Sequence, residues 1–411
     1  MDHPPPDRIR DDLKGLIKGE CRFDDLTRTL YSTDASIFQI QPLGVVAPLD
    51  EEEIQTLVRY AAAQGIALVP RGAGTGLAGE SLGAGLIVDL SRHFRSILEI
   101  GNDTARVQPG VVLRDLNERL AREGRRFAPD PASATECTLG GMVATNASGA
   151  RSLRHGYTRE HIVALRLVLD TGDVAAVGTQ SRWPAADLQP GRLEDIVSSV
   201  ATLLENNAER IQTCRPRTPF NRCGYLLHDV LTDDHLHLAR LLVGSEGTLA
   251  LVTEATVRTI PLPEGRTVAL FGYPSVDAAL RAALLALPTR PSACELLDRR
   301  LLSLARAGNG GRADTVPPAA EAVLLLEFEE EHPAAARTAA LDCSKRLHSA
   351  DQEPIVSRLG LETEEADALW RLREAALPNL YALRGGAQPV ACIEDVGVPV
   401  EELPTYLHRV Q

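Results

Sequence analysis

Residues 70–81 read Pro70-Arg71-Gly72-Ala73-Gly74-Thr75-Gly76-Leu77-Ala78-Gly79-Glu80-Ser81, a glycine-studded turn set between two apolar stretches. Glycines at 72, 74, 76 and 79 let the backbone take positive φ and bring its N–H groups against a ligand, as a loop without long cations does when it cradles a diphosphate. A Rossmann loop would have to open an amphipathic helix. Here Gly79, Gly83 and Gly85 interrupt any helix before Leu86-Ile87-Val88-Asp89-Leu90 resumes as a strand, so the pattern is strand, loop, strand. A Walker-type site fits less well still, because no Lys-Ser or Lys-Thr pair follows the glycines. On local chemistry a nucleotide site and an ordinary glycine-rich surface turn both remain open.

Two later stretches weigh on that choice. Pro129-Asp130-Pro131 precedes Thr138-Leu139-Gly140-Gly141-Met142-Val143-Ala144-Thr145-Asn146-Ala147-Ser148-Gly149, a run of small residues whose surface suits a flat ring system. Gly244-Ser245-Glu246-Gly247-Thr248 then feeds a β-rich stretch, Leu249 to Arg258, with partial alternation. In this order the three motifs resemble the flavin-binding domain of the vanillyl-alcohol oxidase / p-cresol methylhydroxylase (PCMH) superfamily, in its glycolate oxidase and D-lactate dehydrogenase branch. That branch shows P-R-G-x-G-T-G, G-G-x-x-A-x-N-x-x-G and G-x-E-G-T-L-x-x-x-T-E. Tyr31-Ser32-Thr33-Asp34-Ala35-Ser36 and Pro48 with its Glu-rich helix extend the resemblance over roughly residues 25–262.

The resemblance implies an α+β chain: a PCMH-type FAD-binding domain of two subdomains, followed by an incomplete α+β cap. It implies FAD, with Arg71, Gly72, Ala73, Gly74, Thr75 and Gly76 along the pyrophosphate. Pro129, Gly140, Gly141, Ala144, Asn146 and Gly149 would approach flavin and ribityl atoms, and Glu246 and Gly247 supply the third contact segment. Ala250 and Leu251 stand where relatives often carry Gly-Ile, which bears on how closely the backbone approaches there. Relatives that bond flavin covalently use a histidine near the glycine turn; Thr75 in its place implies non-covalent FAD.

Composition sets further bounds. A chain of 411 residues ordinarily divides into two or three domains. Its net charge of −13 argues against a nucleic-acid partner, since a phosphate-binding face needs clustered excess base. Neither a transmembrane run nor a signal-like start is legible, which points to the cytoplasm, with peripheral attachment at the inner membrane as the variant. Seven cysteines at 21, 137, 214, 223, 294, 343 and 392 stand singly without C-x-x-C spacing, so these residues encode neither a zinc site nor an iron–sulfur cluster. Cys137 reads as a small packing residue.

Ile9, Leu13, Leu16 and Ile17 fall at helical spacing and predict one amphipathic helix over 8–30. Glu51 to Gln64 reads as a helix, and Arg215 to Tyr225 as a basic loop, near the flavin edge or merely connecting. The Pro261 to Gly265 cluster is the boundary candidate. The expected organisation is an N-terminal helical segment (1–44), the FAD-binding domain (45–263) and a substrate or cap domain (264–411). The cap shows strands at Val268–Phe271 and Ala322–Phe328, a helix at Val276–Ala286 and a polar break at Gly308 to Arg312.

Trp370-Arg371-Leu372-Arg373-Glu374 resembles the family's W-x-L-R-E helix, which implies Arg373 as the residue that grips the carboxylate of a 2-hydroxy acid. A guanidinium fork suits that task because two parallel hydrogen bonds fix the carboxylate plane. Its alternative is a solvated helix charge paired with a glutamate. Glu394-Asp395-Val396-Gly397-Val398-Pro399 matches E-D-V-x-V-P, after which relatives carry H-x-G-x-G-x-x-H for a divalent metal and for proton abstraction. The catalytic base and metal are therefore expected beyond Gln411, with His155 the only weak internal candidate. Leu377-Pro378-Asn379-Leu380-Tyr381 resembles the large branch that passes electrons through a downstream iron–sulfur region to a quinone or other carrier. Two functions follow: a D-2-hydroxy acid dehydrogenase read here as its front part and expected to be inactive alone, or a flavin-binding subunit without catalysis of its own.

Overall fold

The computed structural model describes residues 4–181, 191–218, 224–307, 319–351, 353–374 and 396–410. The chain divides into two compact units, the first built from Met1–Ser148 and Tyr157–Pro261, the second from Gly149–Gly156 and the described residues from Leu262 onward.

The first unit carries two sheets. In the smaller, strands run in the order Glu20–Arg22, Gly44–Ala47, Leu86–Asp89, Leu68–Arg71, the last three parallel and the first antiparallel. Helix Glu51–Gln64 makes the crossover. Asp50 caps it by accepting from the Glu53 N–H, Gly65 ends it at φ 66°, and its apolar stripe of Ile54, Leu57, Val58 and Ala61 packs on Val46, Leu86 and Val88. The glycine turn connects Leu68–Arg71 to Leu86–Asp89, as the strand, loop, strand reading anticipated.

The expected helix over 8–30 does not form. Helix Pro6–Leu13 buries Ile9 and Leu13 but stops before Gly15; Glu20–Arg22 then pairs with the sheet, and Asp24 caps a second helix, Asp25–Leu30, while Leu16 is exposed. The cause lies outside the segment. The buried Glu53 carboxylate accepts from the N–H groups of Lys18, Gly19 and Leu49 at 2.7, 3.2 and 2.9 Å, which holds the chain in a turn where periodicity alone would continue the helix.

The larger sheet is antiparallel throughout, in the order Ile97–Ile100, Thr104–Val107, Leu251–Arg258, Ile162–Val168, Val174–Val177. Strand Leu251–Arg258 alternates buried and half-exposed side chains, and its inward residues Ala255 and Val257 share a core with helices Leu113–Ala121, Leu139–Thr145 and Arg192–Asn206. Cys137 lies in that core, where burial pushes its thiol up to about 11, in keeping with a packing role.

The second unit is a four-stranded antiparallel sheet ordered Ala293–Asp298, Ala322–Glu330, Gly265–Tyr273, Val356–Gly360. Helices Val276–Ala286 and Pro333–His348 cover one face. The other meets Ala366, Leu369 and Trp370 of helix Thr363–Glu374 and Leu302 of helix Arg299–Ala307. Strand Ala322–Glu330 is apolar up to Leu326 because both its faces are buried, and then turns polar with Glu327, Glu329 and Glu330. Those glutamates define the polar end of the sheet. The Gly308 to Arg312 break, the Leu377 to Tyr381 segment and Glu394-Asp395 lie outside the described residues.

Candidate functional site

Within the first unit the three sequence motifs come together. A β-carbon on Gly72 would sit 2.2 Å from Thr138 Oγ1, one on Gly247 2.2 Å from Pro70 Cγ, and one on Gly140 2.6 Å from Pro109 Cβ. The Gly244 and Glu246 N–H groups donate to the carbonyls of Val143 and Ala144, each at 2.9 Å. The turn at 244–248 is thereby fixed to helix Leu139–Thr145 and seated on the strand that feeds the glycine loop. Gly74 and Gly247 take φ of 68° and 72°, which only glycine adopts without cost.

A cradle for phosphate must also leave its donors free. Among the described residues, the backbone N–H groups from Gly72 to Gly76 donate to no partner within the protein, although the Gly74 carbonyl accepts from Ala35. That is a row of unspent donors at a strand end, closed off by glycines that cannot bear side chains, and it fits a diphosphate. Gly76 is different: its β-carbon would meet only the flexible carboxylate of Glu80.

Several predicted residues also make structural contacts. The Arg71 guanidinium donates to the carbonyls of Tyr31 and Thr33 at 3.2 and 2.8 Å and lies over the Tyr31 ring, so it ties the leading segment to the loop. Asn146, left-handed at φ 49°, accepts from the Arg159 N–H at 2.9 Å. Pro129 is buried, and Gly141 meets Thr138 at ordinary distance. Gly149 opens the stretch that packs with the second unit, where its N–H donates to Ser152 Oγ. Burial and the neighbouring Glu80 push the Glu246 carboxyl above its usual range. Sequence reasoning missed Thr138, which caps helix Leu139–Thr145 and touches Gly72, and Asp89, which accepts from the Tyr31 hydroxyl at 2.5 Å. An N-cap threonine ahead of a glycine pair was the available signal for the first.

Beside Asn146 a cavity of about 250 Å³ is lined by Tyr157, Arg159, Arg215, Arg217 and His228. Arg159 is a strut, since its guanidinium donates to the carbonyls of Leu226, His228 and Arg240 at 3.2, 2.6 and 2.9 Å. Arg215 is paired with Asp229. Burial, then the Arg159 charge, holds His228 below the usual histidine range.

Within the second unit, Arg373 sits in the last turn of helix Thr363–Glu374 beside Trp370, whose ring lies within 6 Å of three guanidiniums: Arg151 at 5.2 Å, Arg373 at 5.6 Å and Arg266 at 5.9 Å. Glu327, wholly buried, accepts from Arg151 through Nε and Nη2 at 2.6 and 2.8 Å and from Arg266 Nε at 2.5 Å. His155 Nε2 stands 3.5 Å from Glu329, a carboxylate also bonded to Arg151. Arg373 donates through Nε to Glu295 at 2.7 Å. Arg373 is thus paired with a glutamate of strand Ala293–Asp298 and has a quarter of its side chain exposed. Among the described residues no cluster of histidine, cysteine and carboxylate side chains is placed to hold a metal, and no helix is long and apolar enough to cross a membrane.

Comparison with known proteins bears on the family and the cofactor. A model described as an FAD binding domain matches residues 42–178, and one for the C-terminal domain of FAD linked oxidases matches 262–411. The glycolate oxidase subunit GlcD of Bacillus subtilis is 32% identical over 400 residues, covering 94% of this chain and 72% of that protein. The chain belongs to the FAD-linked oxidases. Its cofactor is FAD, and the cradle at 70–76, 138–146 and 244–248 has the geometry to take it.

This FAD-linked oxidase is also 33% identical to a D-2-hydroxyglutarate dehydrogenase of Pseudomonas putida over 412 residues, which is 95% of this chain and 40% of the relative. It spans about two fifths of the length of the first such dehydrogenases it matches. A solved alkyldihydroxyacetonephosphate synthase, at 19% identity, superposes with a TM-score of 0.64 over 93% of this chain and 66% of that one, which establishes the α+β, PCMH-type fold.

Proposed function

We propose that this FAD-linked oxidase serves the oxidation of a D-2-hydroxy acid to the 2-oxo acid, holding FAD non-covalently in the first unit and gripping the acid's carboxylate through Arg373 in the second. Curated relatives named D-2-hydroxyglutarate dehydrogenase, D-lactate dehydrogenase and glycolate oxidase subunit support the substrate class. Those names share a carboxylate beside a hydroxyl-bearing carbon. FAD, when bound, supplies the acceptor for the hydride on that carbon.

The observation that carries the reading is the state of Arg373. Its Nε is engaged by Glu295, and among the described residues its Nη1 and Nη2 have no hydrogen-bond partner. Arg151 and Arg266, on the same tryptophan, already spend their forks on Glu327 and Asp367. Arg373 therefore offers an edge of two parallel donors, the pattern that fixes a carboxylate in plane. Fixing the carboxylate fixes Cα, which is how a binding residue contributes to the rate of hydride transfer. A reduced flavin must be reoxidised, so the proposal includes an electron carrier, a quinone or an iron–sulfur region, as partner.

The test is an anaerobic titration of the FAD-loaded chain with D- and L-2-hydroxyglutarate, D-lactate and glycolate, followed through the flavin absorbance band. A saturable perturbation by a D-acid, absent in Arg373→Met at unchanged FAD content, is expected. Flavin that ignores every acid would contradict the proposal and leave a flavin-holding subunit without catalysis of its own.

A further inference from the structure

We infer that Glu295 is a positioning residue, which aims the Arg373 guanidinium so that its Nη edge stays open for a ligand carboxylate. This rests on the reading of Arg373 as the carboxylate grip. A guanidinium has two edges that match a carboxylate, one formed by Nε with an Nη and one by the two Nη nitrogens. Glu327 takes the first edge of Arg151 in bidentate fashion. Glu295 touches Arg373 at Nε alone, from strand Ala293–Asp298, 78 residues away in sequence.

Three constraints then act on one side chain. Its backbone lies on helix Thr363–Glu374, its face is set against the ring of Trp370 one turn earlier, and its Nε is pinned by Glu295. The pair is about three-quarters buried, with side-chain exposures of 25% and 26%, and Trp370 itself is 6% exposed within the apolar face of the sheet. An unpinned arginine would sample many rotamers, and ordering it on binding would weaken the ligand. Glu295 supplies that order in advance. Its charge also offsets part of the attraction that Arg373 exerts on an anion, so geometry and charge act in opposite directions and can be separated.

Glu295→Ala removes both, whereas Glu295→Gln keeps an acceptor for Nε–H and removes only the charge. The measurement is calorimetric titration of the FAD-loaded chain with pyruvate, and with pyruvamide as the ligand that lacks the carboxylate. We expect Glu295→Ala to bind pyruvate about tenfold more weakly, the loss of one well-aimed charge-assisted contact, with pyruvamide unchanged. Glu295→Gln should bind pyruvate at least as tightly as the native chain. A general packing defect would weaken both ligands alike and overturn the inference. So would Glu295→Ala behaving as native, or Glu295→Gln as weak as Glu295→Ala, while Arg373→Met abolishes the preference for pyruvate; in those cases the carboxylate grip stands without its positioning residue. Undiminished pyruvate binding in Arg373→Met would instead overturn the grip itself, and the role of Glu295 with it.

Discussion

A methyl group on Gly247 would meet Pro70 Cγ at 2.2 Å while the backbone there holds φ at 72°. Gly247→Ala should therefore cost about 1–2 kcal/mol from the left-handed backbone, with a further loss from the displaced Pro70. Gly76→Ala should be nearly silent by comparison, because its new carbon meets only the mobile end of Glu80. Thermal melts of the two variants with and without FAD check this, and equal losses would contradict the geometry. Gly74→Asp is a third case: it places a carboxylate among the unspent N–H groups of 72–76, so the fold should survive while FAD uptake is lost. Retained flavin in that variant would remove the loop from the site. The glycine pattern was legible in sequence as a set, but which glycines are forced was not, because the atoms that forbid a side chain belong to Thr138, Pro109 and Pro70 on other segments. The partner of Arg373 was hidden for the same reason.

Helix Glu51–Gln64 packs on one sheet of the first unit and strand Ile162–Val168 belongs to the other, and a partly exposed ion pair joins them. Glu51 accepts from Arg166 Nε and Nη2, each at 2.8 Å, and from Thr253 Oγ1 at 2.7 Å. Burial alone would raise the Glu51 carboxyl, but the hydrogen bonds from Arg166 and Thr253, with the Arg166 charge, more than offset it and hold it below the usual range. A carboxyl lowered in the folded state stabilises fully above its unfolded pKa, and the contribution disappears as pH falls through the folded one. Arg166→Met should thus cost about 1 kcal/mol at neutral pH, since the arginine is partly exposed, and the gap from native should close in acid. Urea midpoints read by flavin release at neutral and acidic pH measure it; a gap that widens on acidification would contradict the assignment. Elements whose signals are local, such as helix 51–64 with its Asp50 cap and Gly65 stop, could be read from the sequence. The leading 8–30 stretch could not, because the Glu53 carboxylate that ends its helix lies more than thirty residues downstream.

At the scale of the molecule, the motif order carried the fold class and the cofactor, and comparison with FAD-linked oxidases agrees with both. What the sequence could not reveal was that Gly149, read as the end of the flavin run, opens a stretch to Gly156 that packs with the second unit and brings Arg151, Arg154 and His155 to Glu327 and Glu329. Small residues at 147–150 permit either course, and only the buried glutamates at the polar end of strand Ala322–Glu330 decide it. The central claim is that three separated backbone segments make one site for FAD, held without a covalent bond. Its most direct test is to load the purified chain with flavin, precipitate it in acid and identify the pigment by chromatography and mass. The account predicts close to one FAD per chain, all of it in the supernatant. Pigment that stays with the pellet, or FMN or a nicotinamide in place of FAD, would contradict it.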